Sequence, residues 1–207
     1  MSTIKLYRHA LSGHSHRVEL FLSLLNRDYE LVDVDLVNGA HKQPEFLAMN
    51  RFGQVPVLED GDVILADSNA ILVYLASRYD SAGSWLPANP EAAAEIQRFL
   101  SVAAGQVIYG PATARLVNVF GAEKDKDAAI AIAYQLFAVL EEHLADRDWL
   151  VGNRPTVADV SNYSYIAHAP EGDVSLENYP RLRDWLSRIE SLPGFVPMQS
   201  TSIGLAA

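Results

Sequence analysis

The chain opens with alternation. Residues 3–7, Thr-Ile-Lys-Leu-Tyr, set apolar side chains at every second position, the period of a strand with one buried face. Ser12 then precedes Val18, Phe21, Leu22 and Leu25, spaced i, i+3, i+4, i+7, which predicts an amphipathic helix. Residues 29–34 alternate again, and His41 to Met49 carries a looser pattern of mixed helical character. Two short apolar runs, 55–58 and 63–66, flank Glu59-Asp60-Gly61-Asp62, and Asp-Gly between such runs signals a hairpin. Leu72, Leu75, Ala76 and Tyr79 give a further helical stripe. The order is βαβαββα. Its βαβ start predicts a parallel strand pair with a right-handed crossover, and the hairpin adds an antiparallel pair, so the sheet is mixed.

Beyond residue 80 the pattern changes. Residues 81–90 hold Ser, Ala, Gly and two prolines, the composition of a linker. Helical stripes follow: Ile96, Phe99, Leu100 and Ala103; then Ala133, Leu136, Phe137 and Leu140; then Leu182, Trp185, Leu186 and Ile189. Thr156-Val-Ala-Asp159 reads as a capping box that opens another helix. The chain is thus expected to form a small α/β domain over 1–80, a linker over 81–90 and an all-α domain over 91–207.

Composition narrows the chemistry. Of 207 residues, 49% are hydrophobic and 20% charged, enough apolar content for a sizeable core. The net charge of −10 repels phosphate backbones and anionic lipid, so neither nucleic acid nor a membrane surface is an expected partner. There is no cysteine, which excludes disulfides, thiolate metal sites and a protein thiol nucleophile. Any thiol chemistry must use a thiol on a ligand. Residues 1–7 hold one lysine and no apolar run of signal-peptide length, and no stretch of about 18 apolar residues occurs, so a cytoplasmic protein is expected.

Four places could carry chemistry. Ser12 stands in the turn after the first strand, where a helix N-terminus offers unpaired amides and a partial positive charge; it reads equally as a plain N-cap. Gln54-Val55-Pro56 enters a strand with a residue that cannot donate to the ladder, and a cis Val55–Pro56 bond there would present the Val55 amide and carbonyl to an extended peptide. Asp67-Ser68 opens a helix; its amides and hydroxyl suit a carboxylate and its carboxylate suits an ammonium, although capping alone explains the pair. His9, His14, His16 and His41 form a histidine cluster, but their spacing is poor for a metal and no metal is expected. Glu141-Glu142 reads as a solvated helix face. Nucleophile-elbow, Walker, dinucleotide and zinc-protease motifs are absent.

Taken in order, four segments resemble the cytosolic glutathione transferase family over essentially the whole chain. They are Leu11-Ser-Gly-His-Ser-His-Arg-Val18, Asn50-Arg-Phe-Gly-Gln-Val-Pro-Val-Leu58, Leu65-Ala-Asp-Ser-Asn-Ala-Ile-Leu-Val-Tyr-Leu75 and Gly152-Asn-Arg-Pro-Thr-Val-Ala-Asp159. The resemblance is to the serine-type, theta-, zeta- and nu-like members found in bacteria. It implies a thioredoxin-like N-terminal domain and an all-α C-terminal domain. It implies that Ser12 is the catalytic serine, that Val55-Pro56 is a cis-proline loop pairing with the glutathione backbone, and that Asp67 and Ser68 hold the γ-glutamyl end. Leu11, His41 and Gln54 complete the implied glutathione contacts, with His41 and Gln54 near the glycine carboxylate. It also implies a homodimer. Ala10, His14 and Arg51 stand where relatives often carry Pro, Asn and Pro, and Ser15 is a second hydroxyl in the same turn.

Glutathione is then the co-substrate, and a small hydrophobic electrophile its acceptor. Poising a thiol about two units lower needs roughly 3 kcal/mol. A hydrogen bond to a charged group supplies about 1.5–3 kcal/mol and a helix N-terminus about 0.3–1, so a hydroxyl with the amides behind it suffices. The electrophile is expected between the domains, beside Val102, Gln106, Tyr109 and Thr113, which at i, i+4, i+7, i+11 share one face of the first long helix; Tyr165 and His168 are weaker candidates. The leading reading is conjugation. Glutathione-dependent reduction of disulfides or peroxides, isomerisation, and a non-catalytic binding module on the same fold are the alternatives. Residues 200–207 either cover the pocket or fray.

Overall fold

Strand β1 (Ile4–Arg8) buries Ile4 and Leu6 and leaves Lys5 and Tyr7 partly open, the two-residue period realised. The computed structural model describes residues 3–203. Helix α1 (Gly13–Leu24) follows, capped by Ser12, and buries Val18, Phe21 and Leu22 from the expected stripe, while Leu25 becomes the C-cap. Strand β2 (Tyr29–Asp33) returns parallel to β1. A short turn at Ala40–Lys42 leads into α2 (Pro44–Met49). The hairpin β3 (Val57–Asp60) and β4 (Val63–Ala66) comes next, then α3 (Ser68–Tyr79), capped by Asp67. The sheet runs β2-β1-β3-β4, with β3 antiparallel to β1 and β4 antiparallel to β3. The mixed sheet is therefore as expected.

The hairpin differs from the sequence reading in its register. Asp60 pairs with Val63, so the turn is Gly61-Asp62, and Glu59 and Asp60 lie in the strand. Distant partners hold them there. Glu59 accepts from Tyr7 Oη at 2.9 Å and lies 3.4 Å from Lys5 Nζ; Asp60 accepts from Tyr74 at 2.8 Å and Tyr79 at 2.5 Å.

The helical part comprises α4 (Pro90–Ala104), α5 (Thr113–Phe120), α6 (Lys126–His143), α7 (Val157–Ala167) and α8 (Pro180–Glu190). All twelve stripe residues expected on α4, α6 and α8 are buried. Each large one contributes about 1.5–3 kcal/mol. Asn162 of α7 donates to the Phe99 carbonyl of α4 at 3.1 Å. The Thr156/Asp159 capping box is present, and Asp159 is fully buried beneath Trp185. Glu141 is not merely a solvated residue: its carboxylate accepts from the Arg181 and Leu182 amides at 3.1 and 3.0 Å and caps α8. Among the described residues no helix is long and apolar enough to cross a membrane.

The chain divides into two units. One runs to Ala82 and includes Pro193–Gln199; the other runs from Gly83 to Leu192 and resumes at Ser200. Residues 193–199 thus depart from the expected 91–207 helical domain. Ser23 donates to the Gly194 carbonyl at 2.6 Å, His16 Nε2 lies 2.8 Å from the Val196 carbonyl, and Met198 is buried. Gly194 has φ +87°, and a Cβ there would stand 2.8 Å from the Ser23 carbonyl. The last four residues of the expected tail lie outside the described residues.

Candidate functional site

One row of the sheet organises the site. Tyr7 of β1 stands beside Val57 of β3, and Val57 beside Ala66 of β4. The turn after β1, the loop before β3 and the turn after β4 therefore leave the sheet at one end. The parallel partner β2 ends there too, with Arg8 opposite Asp33, and the segment after it carries His41. Three of the four candidate places converge by register alone, and His41, from the histidine cluster that was the fourth, lies on the segment that follows β2.

Ser12 is half-buried and caps α1: its Oγ accepts from the Ser15 amide at 3.3 Å. That contact uses a lone pair and leaves the hydroxyl proton to donate outward, so the cap and donor readings are compatible. Ser15 is fully buried, with its Oγ accepting from the His9 amide at 3.3 Å; it braces the turn from inside. Leu11, half-buried, donates its amide to His9 Nδ1 at 3.3 Å.

The Val55–Pro56 peptide bond is cis, Gln54 is exposed and Pro56 is buried. Val55 lies beyond the paired register of β1 and β3. The loop is braced by residues that sequence reasoning passed over. Asn50, buried, donates to the Gln54 carbonyl at 2.8 Å and accepts from the Phe52 amide at 3.1 Å. Lys42 Nζ reaches the Phe52 and Gly53 carbonyls at 3.3 and 3.0 Å. Gly53 has φ +58°, and a Cβ there would meet the His41 carbonyl at 2.7 Å, so His41 and the loop are in close contact. An Asn opening a Gly-containing turn was the available signal.

At the start of α3, Asp67 is exposed and accepts from the Ala70 amide at 2.9 Å, while Ser68 is buried. Arg17 Nη1 donates to Ser68 Oγ at 2.9 Å and to Asn69 Oδ1 at 2.8 Å. His14 Nδ1 lies 3.0 Å from the same Oγ. Desolvation, and secondarily the Arg17 charge, push the His14 pKa down to about 3, so the ring is neutral. Three of the histidine rings face different partners, His9 the Leu11 amide, His14 Ser68 and His16 the Val196 carbonyl, while His41 meets the loop at Gly53 through its backbone carbonyl. Among the described residues no group of three or more His, Asp or Glu could hold a metal ion.

The four residues expected to meet an electrophile do not share one helix. Helix α4 ends at Ala104, Gly105 and Gly110 leave helical geometry, and Pro111 follows. A Cβ at Gly110 would meet the Ala133 amide nitrogen at 2.9 Å, so close approach of α6 goes with the break. Val102 and Gln106 line a cavity of about 290 Å³ with Phe99, Ile132 and Leu136. Tyr109 is 64% exposed, and Thr113 donates its hydroxyl to the Ile108 carbonyl at 2.7 Å. Tyr165 is buried, and His168 Nδ1 lies 2.7 Å from Glu171.

Known proteins fit this arrangement. Residues 2–77 match the glutathione S-transferase N-terminal domain and residues 93–193 the glutathione S-transferase C-terminal domain. Glutathione S-transferase 3 of Zea mays is 35% identical, over 94% of this chain and 92% of its own. Glutathione S-transferase theta-2 of Homo sapiens is 32% identical, over 92% of this chain and 82% of its own. Among solved structures, a glutathione S-transferase from Pseudomonas fluorescens superimposes with a TM-score of 0.90 at 30% identity, covering 96% of this chain and 100% of that one. A glutathione transferase homologue from Drosophila mojavensis, solved with bound glutathione, gives 0.84 at 30% identity, covering 93% and 90%.

Proposed function

The chain belongs to the glutathione S-transferase family, and on that footing we propose that it binds glutathione at the β1–β3–β4 end of the sheet and activates the thiol with Ser12. The observation that carries the reading is the convergence of the Ser12 turn, the Val55-Pro56 loop and the Asp67-Ser68 turn along one sheet row. Their separation along the site follows the order of a γ-glutamyl peptide's groups: carboxylate and ammonium at α3, backbone at Val55, thiol at α1.

Ser12 keeps its proton for the ligand because the Ser15 amide takes only a lone pair. The thiolate then meets one O–H donor and the positive end of a helix. Together these supply about 2–4 kcal/mol, enough to shift a thiol by the roughly two units required. The thiol proton passes to solvent, and the thiolate attacks an electrophilic carbon of a small hydrophobic substrate. The C–S bond forms as the bond to a leaving group breaks and that group departs with the electron pair, or as the π bond of an activated alkene opens and its far carbon takes up a proton. His41 and Gln54 serve the glycine carboxylate, and Leu11 lines the thiol. Tyr109, an exposed aromatic with a hydroxyl, is proposed to meet the electrophile. A cytoplasmic homodimer is the proposed working form.

Removing the Ser12 hydroxyl tests the mechanism. In Ser12→Ala, turnover with a chromogenic electrophile should fall about 10- to 100-fold while glutathione affinity changes less than about threefold. Unchanged turnover would leave Ser12 as a cap alone.

A further inference from the structure

Ser68 is the residue of the proposed γ-glutamyl site whose side chain is turned inward. It is 3% exposed, and two groups of α1 close on its hydroxyl. Arg17 can only donate, so its Nη1–H occupies one lone pair of Ser68 Oγ. The hydroxyl proton must go elsewhere. His14 Nδ1 is 3.0 Å away, and it also lies 3.5 Å from the Arg17 guanidinium. Beside a cation, a ring nitrogen is favoured with its lone pair exposed rather than an N–H. A neutral ring protonated at Nε2 therefore completes a directed chain: Arg17 N–H to Ser68 Oγ, then Ser68 O–H to His14 Nδ1. The low pKa of His14 agrees with a neutral ring.

We propose that His14 and Arg17 are positioning residues that take both sides of the Ser68 hydroxyl, tying the thiol end of the site on α1 to the γ-glutamyl end on α3. Ser68 then meets glutathione through its backbone N–H, not its hydroxyl. The inference rests on the glutathione site proposed above and assigns Ser68 a different part in it. Asn69 joins the same tie through its contact with Arg17.

The claim separates from a direct contact by a double-mutant cycle. Glutathione is titrated by calorimetry into wild type, His14→Leu, Ser68→Ala and the double variant. As parts of one unit, each single change should weaken binding about 3- to 10-fold, and the double variant no more than the weaker single. His14→Asn, whose amide oxygen can replace the Nδ1 acceptor, should restore wild-type affinity. Cysteinylglycine, which lacks the γ-glutamyl group, should bind all variants alike; a general loss of structure would weaken both ligands together. Multiplying effects, or a tenfold loss in Ser68→Ala beside a silent His14→Leu, would make the hydroxyl a direct ligand contact and overturn the proposal. A second readout needs no variant beyond resonance assignment. Nitrogen NMR of glutathione-saturated wild type should find His14 Nδ1 without a proton, and a protonated Nδ1 would contradict the chain. Wild type that ignores glutathione would remove the site reading itself, a result distinct from either variant pattern.

Discussion

At the scale of single residues, His14 couples the site to stability. The native ring stays neutral down to about pH 3, whereas in the unfolded chain it takes a proton near its ordinary value of about 6.5. Between those values the unfolded state binds more protons, so stability is present above the window and is lost as pH falls through it. Lowering the pH from 7 to 5 should cost wild type about 2 kcal/mol through this ring alone. His168, also held below its ordinary value chiefly by burial, acts in the same direction. Denaturant unfolding at the two pH values isolates the first contribution: His14→Asn should lose about 2 kcal/mol less than wild type, and equal losses would place the His14 ring outside the desolvated network. Nothing in the local sequence pointed to this. His14 departs from the usual family residue, but its partners Ser68 and Asn69 lie on another helix. Only the fold brings a neutral ring and a guanidinium onto one hydroxyl.

At the scale of elements, Asp159 is the residue on which the start of α7 depends. Its buried carboxylate accepts from the Leu150 and Thr156 amides, the Thr156 hydroxyl and the Trp185 indole, at 2.8–3.2 Å. Burial raises its pKa and those donors oppose the rise. Asp159→Ala strands several buried donors at about 1–3 kcal/mol each, so a loss of at least about 3 kcal/mol and a Tm lower by roughly 6–12 °C are expected in a thermal scan. A change of under about 2 °C would mean that the donors find other partners. The capping box was legible because both of its members lie within one helical turn, and the stripes of α4, α6 and α8 because their period is local. The Leu150 and Trp185 contacts were not legible, for they depend on tertiary packing. The break at residues 105–112 carried its signal in Gly105, Gly110 and Pro111, but the apolar spacing of Val102, Gln106, Tyr109 and Thr113 read straight through it. Likewise Glu59 and Asp60 read as turn residues until the tyrosines and lysine that hold them were in place.

At the scale of the whole molecule, the alternation of periods along the chain was enough to specify a mixed sheet followed by helices. The return of residues 193–199 to the first unit was not, since its hydrogen bonds run to α1 across most of the chain. The same sheet order that converges the three turns makes a prediction for the whole protein: with Ser12 and α1 in the proposed place beside the sulfur and α3 in the proposed place at the other end, glutathione should bind with loss of its thiol proton. Calorimetry of wild type with glutathione near neutral pH, in two buffers of different ionisation heat, counts that proton directly. The account predicts a fractional proton released on binding in wild type and much less in Ser12→Ala, where only the helix N-terminus remains. Binding with no buffer-dependent heat in wild type would mean that the peptide is held without activation of its thiol, and would contradict the serine mechanism.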